Sequence, residues 1–172
     1  MRKKMSFDVR VGASRCIVGD QGVIATRRFQ PHDVVFEVLG PIVEQRTKWS
    51  FQVGPNEHID PFDGETPTFG YYLNHSCDPN VYVKVQSSQG KKRLFIYARR
   101  SIAAGEDVAV DYATMEYELT VTGLPCRCGA ANCRGALLGF KDLPAGDRSR
   151  YIAEGMIPEH LLVQEKNSTL RE

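Results

Sequence analysis

Nowhere in the 172 residues does an apolar run approach the roughly 18 that a membrane-spanning helix needs. Met1–Arg10 also lacks the apolar stretch of a secretory signal, so a soluble intracellular protein is expected. Charge imbalance is missing as well: 22 Lys and Arg stand against 21 Asp and Glu, a formal net charge of +1, which removes bulk attraction to nucleic acid as an argument. The cysteines number five, an odd count that makes no disulfide framework and fits reduced thiols. Helical periodicity is sparse, and neither an internal repeat nor a low-complexity segment is present. The length suits one domain with its own core and is too short for two of usual size.

Short β-type runs recur between turn signals: Phe7–Val11, Val34–Leu39, Phe51–Val53, Val81–Val85, Leu94–Ala98 and Val108–Tyr112. They are rich in Val, Ile, Phe and Tyr, as half-buried strands are. The polar, Gly-containing stretch Gln86–Arg93 reads as a hairpin loop between two of them. One helix is expected from about Pro144 to Glu154, with Pro at its start and Gly155 as terminator. The chain therefore reads as mainly β, with a cysteine-rich closure and a C-terminal tail.

Cys126-x-Cys128-x4-Cys133 packs three thiols into eight residues, with a Gly and an Asn where the backbone must turn. Alone, such a cluster could be a redox site or an incomplete zinc ribbon. Cys77 and Cys16 are both available as a fourth ligand. Cys77 is preferred because it lies in the polar turn Asn74-His75-Ser76-Cys77-Asp78-Pro79-Asn80, whereas Cys16 precedes Ile17 and Val18 and is expected to be a buried free thiol. Four thiolates, Cys77, Cys126, Cys128 and Cys133, fill a tetrahedral zinc shell and leave no open position, so the metal is expected to be structural.

Charge is unevenly placed. Residues 79–105 carry six bases and no acid, residues 33–78 carry eight acids, and residues 106–118 add five. Folded together, the two acidic stretches would make a surface for a cationic peptide; scattered solvated faces are the plainer reading. Asn74 and His75 bonded to local backbone, and Tyr112 as a core tyrosine, are the plain readings of those residues. The Gly19–Ala25 segment reads as a loop feeding a strand.

In order and spacing, the Gly19–Ala25 loop, Asn74-His75-Ser76-Cys77-x-Pro79-Asn80, the strand ending at Asp111-Tyr112 and the Cys-x-Cys-x4-Cys cluster together resemble a SET domain followed by a post-SET segment, the protein lysine methyltransferase family. The resemblance implies the β-clip fold, with a threaded crossing of its C-terminal strand and a small zinc-bound closure. It divides the chain into a SET domain at 7–118, a post-SET zinc segment at 119–140 and a tail at 141–172. It further implies S-adenosylmethionine as cofactor and a basic protein segment, such as a histone-like tail, as substrate. Carried over by position, Gln21, Gly22 and Val23 match the loop along the cofactor. Asn74 and His75 match the pair holding its two ends, Tyr71 stands three residues before Asn74 in the same set, Tyr112 matches the tyrosine at the methyl-transfer point, and Phe140 resembles the post-SET aromatic that covers the cofactor.

Three positions depart from the family pattern: Asp20 replaces a loop glycine, Trp49 falls where a channel Tyr often stands, and Val110 occupies the Phe/Tyr position tied to the number of methyls added. The small Val110 is expected to leave room for di- or trimethylation. A non-catalytic scaffold is the competing class. A zinc module gripping nucleic acid through Lys84–Arg100 is a weaker rival, since no basic helix is present; neither direct nucleic-acid binding nor membrane binding is expected. The expected location is the cytoplasm for a bacterial protein, and nucleus or cytoplasm for a eukaryotic one.

Overall fold

The computed structural model describes residues 8–15, 17, 19–120 and 123–170; the buried free thiol expected at Cys16 and the strand start expected at Phe7 lie outside these. Among the described residues, the short β-branched and aromatic runs form ten strands in three small sheets. These are β1 (Val9–Ala13), β2 (Gln21–Ala25), β3 (Val34–Val38), β4 (Ile42–Val43), β5 (Phe51–Gly54), β6 (Glu57–Ile59), β7 (Asn74–His75), β8 (Val81–Ser88), β9 (Lys91–Ala98) and β10 (Asp107–Val110). One sheet has the order β1-β2-β10-β7, the second β3-β9-β8 and the third β4-β6-β5.

Strand β10 runs between β2, to which it is antiparallel, and the two-residue β7, to which it is parallel. That insertion brings the Asn74-His75 pair beside the end of β10, a long-range pairing that no local pattern specifies. Strand β10 is buried at all four residues and reads as a continuous apolar run apart from Asp107, as a strand covered on both faces must.

The β8–β9 hairpin is longer than expected. Its loop is only Gln89-Gly90, both at positive φ (50° and 73°), which is the two-residue turn that matches strand twist; Gln86–Ser88 and Lys91–Arg93 are paired strand. Alternation then sorts the hairpin's faces. Val81, Val83, Leu94 and Ile96 enter the main core with Val23, Phe29, Phe36 and Phe51, while Tyr82 and Tyr97 stack at 5.7 Å on the other face.

That other face is covered by the tail. Instead of one short helix, residues 141–170 hold two: α1 (Ala145–Ala153), ended by Gly155 at φ +65°, and α2 (Glu159–Thr169). Tyr151, Met156 and Leu161 are at most 1% exposed and join Tyr82, Phe140 and Leu143 in a second core. Each such side chain contributes about 1.5–3 kcal/mol by leaving water, so the tail is a structural layer of the domain.

The chain reaches that layer through a close backbone crossing at Gly139. A Cβ there would stand 2.7 Å from Tyr117 O and 2.8 Å from Glu118 Cα, which only glycine avoids. The crossing is fastened on its far side by Phe140 N–H donating to Glu116 O (2.9 Å) and Lys141 N–H to Tyr117 O (3.0 Å).

Candidate active site and metal centre

Past Val110 the chain leaves β10, and the Asp111 carboxylate accepts from Ala113 N–H at 3.1 Å, starting a single 3-10 turn, Tyr112–Thr114. This turn aims Tyr112 back at β7. Its hydroxyl donates to Leu73 O (3.2 Å) and its N–H donates to His75 Nδ1 (3.2 Å), with the two rings 5.1 Å apart. Burial, with the negative charges of Asp20 and Cys126 nearby, pushes the phenol up to about 12, so it is a donor at neutral pH. Burial likewise holds His75 down at about 4, against the upward pull of Asp111 and with Arg134 lowering it further.

On the far side of β7, Asn74 Nδ2 donates to Gln21 O at 2.9 Å, tying the start of β2 to β7. Gly22 is needed for that approach, since a Cβ there would sit 2.9 Å from Asn74 Nδ2. Gln21, Gly22, Asn74, His75 and Tyr112 thus form one continuous group, with Val23 fully buried behind it.

Tyr112 also lines a cavity of about 220 Å³ with Trp49, Phe51, Tyr71, Leu73 and Met115; Glu116, Leu119, Leu124 and Leu137 complete much of its wall. Trp49, Tyr71 and Phe62 pack on one another at 5.2–5.8 Å, giving the cavity an aromatic side. Tyr71, assigned from sequence to the cofactor group, belongs to this wall, as does Trp49. Two other residues named from the sequence lie away from this wall. Phe140 is fully buried in the second core, 6.4 Å from the Tyr117 ring, and does not line the cavity; Leu124 and Leu137 are the closure residues that do. Val110 is fully buried in the main core and is likewise outside the lining.

The cysteine cluster closes over the same turn. Cys77 Sγ lies 3.8 Å from Cys126 Sγ, and donor atoms of His75, Cys77, Cys126 and Cys128 all fall within 4.8 Å of one another. Backbone N–H groups point at the sulfurs: Cys77 N at Cys128 Sγ (3.4 Å), Arg134 N at Cys77 Sγ (3.5 Å) and Gly135 N at Cys133 Sγ (3.4 Å). Such donors suit thiolates. Burial, with Cys128 adding to it and against the pull of Arg134 and Cys126, pushes the Cys77 thiol up to about 11, whereas at Cys128 N–H donors from Cys77 and Ala130, with Cys126 and Cys133, overcome burial and bring it to about 7. A dication at this point would hold all of them ionised, so the donor set fits a metal.

The sequence profile of the SET domain matches residues 20–113. This chain belongs to the SET-domain family. A relative from Arabidopsis thaliana, Histone-lysine N-methyltransferase ATXR7, is 31% identical over 128 residues, which is 67% of this chain and 9% of that protein. The Saccharomyces cerevisiae protein Histone-lysine N-methyltransferase, H3 lysine-4 specific, is 31% identical over 139 residues, 72% of this chain and 13% of that protein. Among solved structures, the crystal structure of KRYPTONITE in complex with mCHG DNA and SAH has a TM-score of 0.63 and 26% identity, covering 78% of this chain and 30% of that chain. The chain spans about a tenth of the length of these curated relatives. The mainly β SET fold expected from the sequence is the fold found.

Several residues of this SET domain's site carry no sequence signal of their own. Asp111 is fully buried; it accepts from Arg134 Nη2 and from Tyr151 Oη, each at 2.8 Å. Arg134 comes from the closure and Tyr151 from α1, so three distant segments meet at the residue before Tyr112. Glu116 is 6% exposed, accepts from Gln52 N–H at 2.8 Å and lies 3.7 Å from His58 Nε2.

The 106–118 half of the expected acidic face is largely spent on internal partners. Of the five acids in 106–118, Asp107, Asp111 and Glu116 are buried, Glu106 pairs with Arg100 and Glu118 with Lys141. The basic stretch is similarly engaged: Lys92 pairs with Glu57, Arg93 with Glu37, and Arg99 with Glu154 and Asp78. Its Lys84 lies 5.4 Å from the Tyr82 ring.

Proposed function

We propose that this SET domain transfers a methyl group from S-adenosylmethionine to a lysine side chain of a protein substrate, a basic segment such as a histone-like tail. The observation that carries the reading is Tyr112, a protonated phenol shared between the Gln21–Asn74–His75 group and a mostly apolar, aromatic-walled cavity. The cavity suits the aliphatic stem of a lysine. The names of the relatives, all histone-lysine N-methyltransferases, support the same substrate class.

S-adenosylmethionine, when bound, supplies an electrophilic methyl on a sulfonium. Gln21, Gly22, Val23, Asn74 and His75 would hold it along the β2–β7 edge, where the glycine at 22 leaves backbone open to approach. Tyr71, with Trp49, would wall the lysine channel next to it. Phe140 would act from beneath, anchoring the segment that presents Leu137. Tyr112, anchored through Leu73 O, would orient the incoming amine roughly 3–3.5 Å from the reacting carbon, and the apolar walls would favour the neutral amine that displacement requires.

One structural zinc would be held by Cys77, Cys126, Cys128 and Cys133. His75 Nε2 is 3.3 Å from Cys77 Sγ and competes geometrically with Cys133 for the fourth place. Hydrogen bonding favours Cys133. Nδ1 accepts from Tyr112 N–H, so the proton of the neutral ring sits on Nε2 and is directed at sulfur; ligation through Nε2 would leave the ring without any proton. His75 therefore serves as a donor to a metal-bound thiolate, and Cys133 completes the shell. Four ligating thiols also favour an intracellular, reducing location, and among the described residues no helix is long and apolar enough to cross a membrane.

The test is incubation of the purified chain with labelled S-adenosylmethionine and a mixture of histones and cell lysate, beside Tyr112→Phe. Label on a protein lysine that falls with the variant supports the reading. No measurable cofactor binding would return the scaffold alternative.

A further inference from the structure

Asp20 stands where the family pattern has a loop glycine, so this chain carries a carboxylate immediately before β2. The residue is fastened through both sides of its backbone: its N–H donates to Ile17 O at 3.2 Å, and its carbonyl accepts from Ser14 N–H at 2.9 Å. Gly19, at φ +90°, makes the turn that delivers it. Its Oδ1 accepts from Gln21 N–H at 3.0 Å, which holds the side chain against the strand that Gln21 O then ties to Asn74. The residue is exposed, and among the described residues no Lys, Arg or His forms an ion pair with it.

The sheet directs this charge towards the proposed transfer point. Strand β10 is antiparallel to β2, with Asp107 opposite Ile24 and Val108 opposite Val23; continued past the ends of both strands, that register sets Asp20 level with the start of the Tyr112 turn. The phenol feels the carboxylate: after burial, the charges that raise Tyr112 are those of Asp20 and Cys126. A zinc ion on Cys126 offsets the second of these and leaves the first in place. The other acids nearby are spent on partners, since Asp107 accepts from Ser14 Oγ and Arg15 N–H, and Asp111 is paired with Arg134. Asp20 is therefore the uncompensated negative charge beside the Gln21–Asn74–His75 group.

We propose that Asp20 is a specificity-determining residue of the cofactor site, its carboxylate favouring the sulfonium of S-adenosylmethionine over the neutral thioether of S-adenosylhomocysteine. The inference rests on the S-adenosylmethionine part of the reading above. The two molecules share their adenosine, amino and carboxylate groups and differ at sulfur, which gives up its positive charge when the methyl leaves. A fixed negative charge near that sulfur holds the methyl donor more tightly than its spent form, and so favours exchange of one for the other. A glycine at this position offers no such discrimination. The hydrogen bond from Gln21 N–H is a separate, structural contribution of the same side chain, and an asparagine reproduces it without the charge.

The experiment is calorimetric titration of the purified chain with S-adenosylmethionine and with S-adenosylhomocysteine, for wild type, Asp20→Asn and Asp20→Glu. The readout is the ratio of the two dissociation constants, in which every contact common to both molecules cancels. Asp20→Asn should move that ratio towards S-adenosylhomocysteine by about three- to fivefold at low salt, the size expected of a solvent-accessible charge pair. Asp20→Glu keeps the charge and should stay within about twofold of wild type. Raising the ionic strength to about 0.5 M should shrink the wild-type preference and leave the Asp20→Asn ratio nearly where it was. If Asp20→Asn does not fold, by circular dichroism, Asp20→Gly restores the residue of the family pattern and is read in the same way. An unchanged ratio in the uncharged variant, an equal loss of affinity for both molecules, or a Glu variant that shifts as far as Asn overturns the inference and leaves the methyltransferase reading standing. Wild type that binds neither molecule overturns both.

Discussion

Replacing Tyr151 by Phe removes a single atom from the point where α1 meets the active-site turn. The Tyr151 ring is fully buried with Phe140, Met156 and Leu161, so Phe keeps the packing and deletes only the hydroxyl. That hydroxyl donates to Asp111 Oδ2 at 2.8 Å and lies 3.4 Å from Cys77 O. Asp111 retains Arg134 and Ala113 N–H after the change, so the carboxylate is not left bare. The expected cost is that of one charge-assisted hydrogen bond, about 1.5–3 kcal/mol. Tyr151→Ala adds an aromatic-sized void and should cost above about 4 kcal/mol. Arg134→Met strips the buried carboxylate of its cation and should cost about 3–5 kcal/mol. Urea unfolding with zinc in excess, followed by the fluorescence of the single tryptophan, Trp49, in the cavity wall, measures all three. Tyr151→Phe within 0.5 kcal/mol of wild type at an unchanged denaturant slope, or no more costly ring removal than hydroxyl removal, would refute the reasoning.

Metal analysis should find one zinc per chain. Cys133→Ser should lose most of it, whereas His75→Gln should keep it, and a reversal of that pattern would make His75 the ligand. Gly22→Ala places a methyl 2.9 Å from Asn74 Nδ2 and should weaken S-adenosylhomocysteine binding by about 1–3 kcal/mol in calorimetry with the fold retained. Stability should also depend on pH through Glu116, which the fold raises from 4.5 to about 8. The folded state favours the neutral acid, so its contribution is fully present below about pH 4.5 and is lost progressively until about pH 8. Glu116→Gln should therefore match wild type near pH 4 and exceed it by a few kcal/mol, about 2–5, above pH 8 in thermal or urea unfolding; a constant difference across that range would argue against the raised value.

The parts of this site that could be read in advance are those whose chemistry is local in the chain. Three cysteines within eight residues, and the Asn74-His75-x-Cys77 run, announce themselves because metal ligation and tight turns use neighbouring residues. The burial of Phe140 could not be read in advance, because it is set by two helices packing on Tyr82, contacts formed with residues far off in sequence. The fate of the 106–118 acids was hidden for a related reason: a count of charges says nothing of partners, and Asp107, Asp111 and Glu116 each fold inwards to meet donors at long range. The second helix was missed because its exposed Val163 and half-buried Leu162 sit beside the fully buried Leu161, which blurs the apolar face. Glu116 and Tyr151 have no local motif, and only the β10 crossing and the tail's packing give them meaning.

Three separate restraints converge on residues 111–118. The cysteine closure sends Arg134 to Asp111, α1 sends Tyr151 to the same carboxylate, and the Gly139 crossing clamps Phe140 and Lys141 onto the carbonyls of Glu116 and Tyr117. The same eight residues carry Tyr112, which faces the proposed transfer point, and Glu116, whose carboxyl is turned to Gln52 N–H. A segment built of one 3-10 turn and irregular backbone has too few internal hydrogen bonds to hold the Tyr112 side chain in register by itself. The metal closure and the helical tail supply the missing rigidity from outside, so neither needs to touch substrate to matter for rate. Loss of zinc, or of the tail's packing, should consequently lower the transfer rate and the unfolding free energy together, while substitutions confined to the cavity wall at Trp49 or Leu124 should change substrate affinity and leave stability nearly intact.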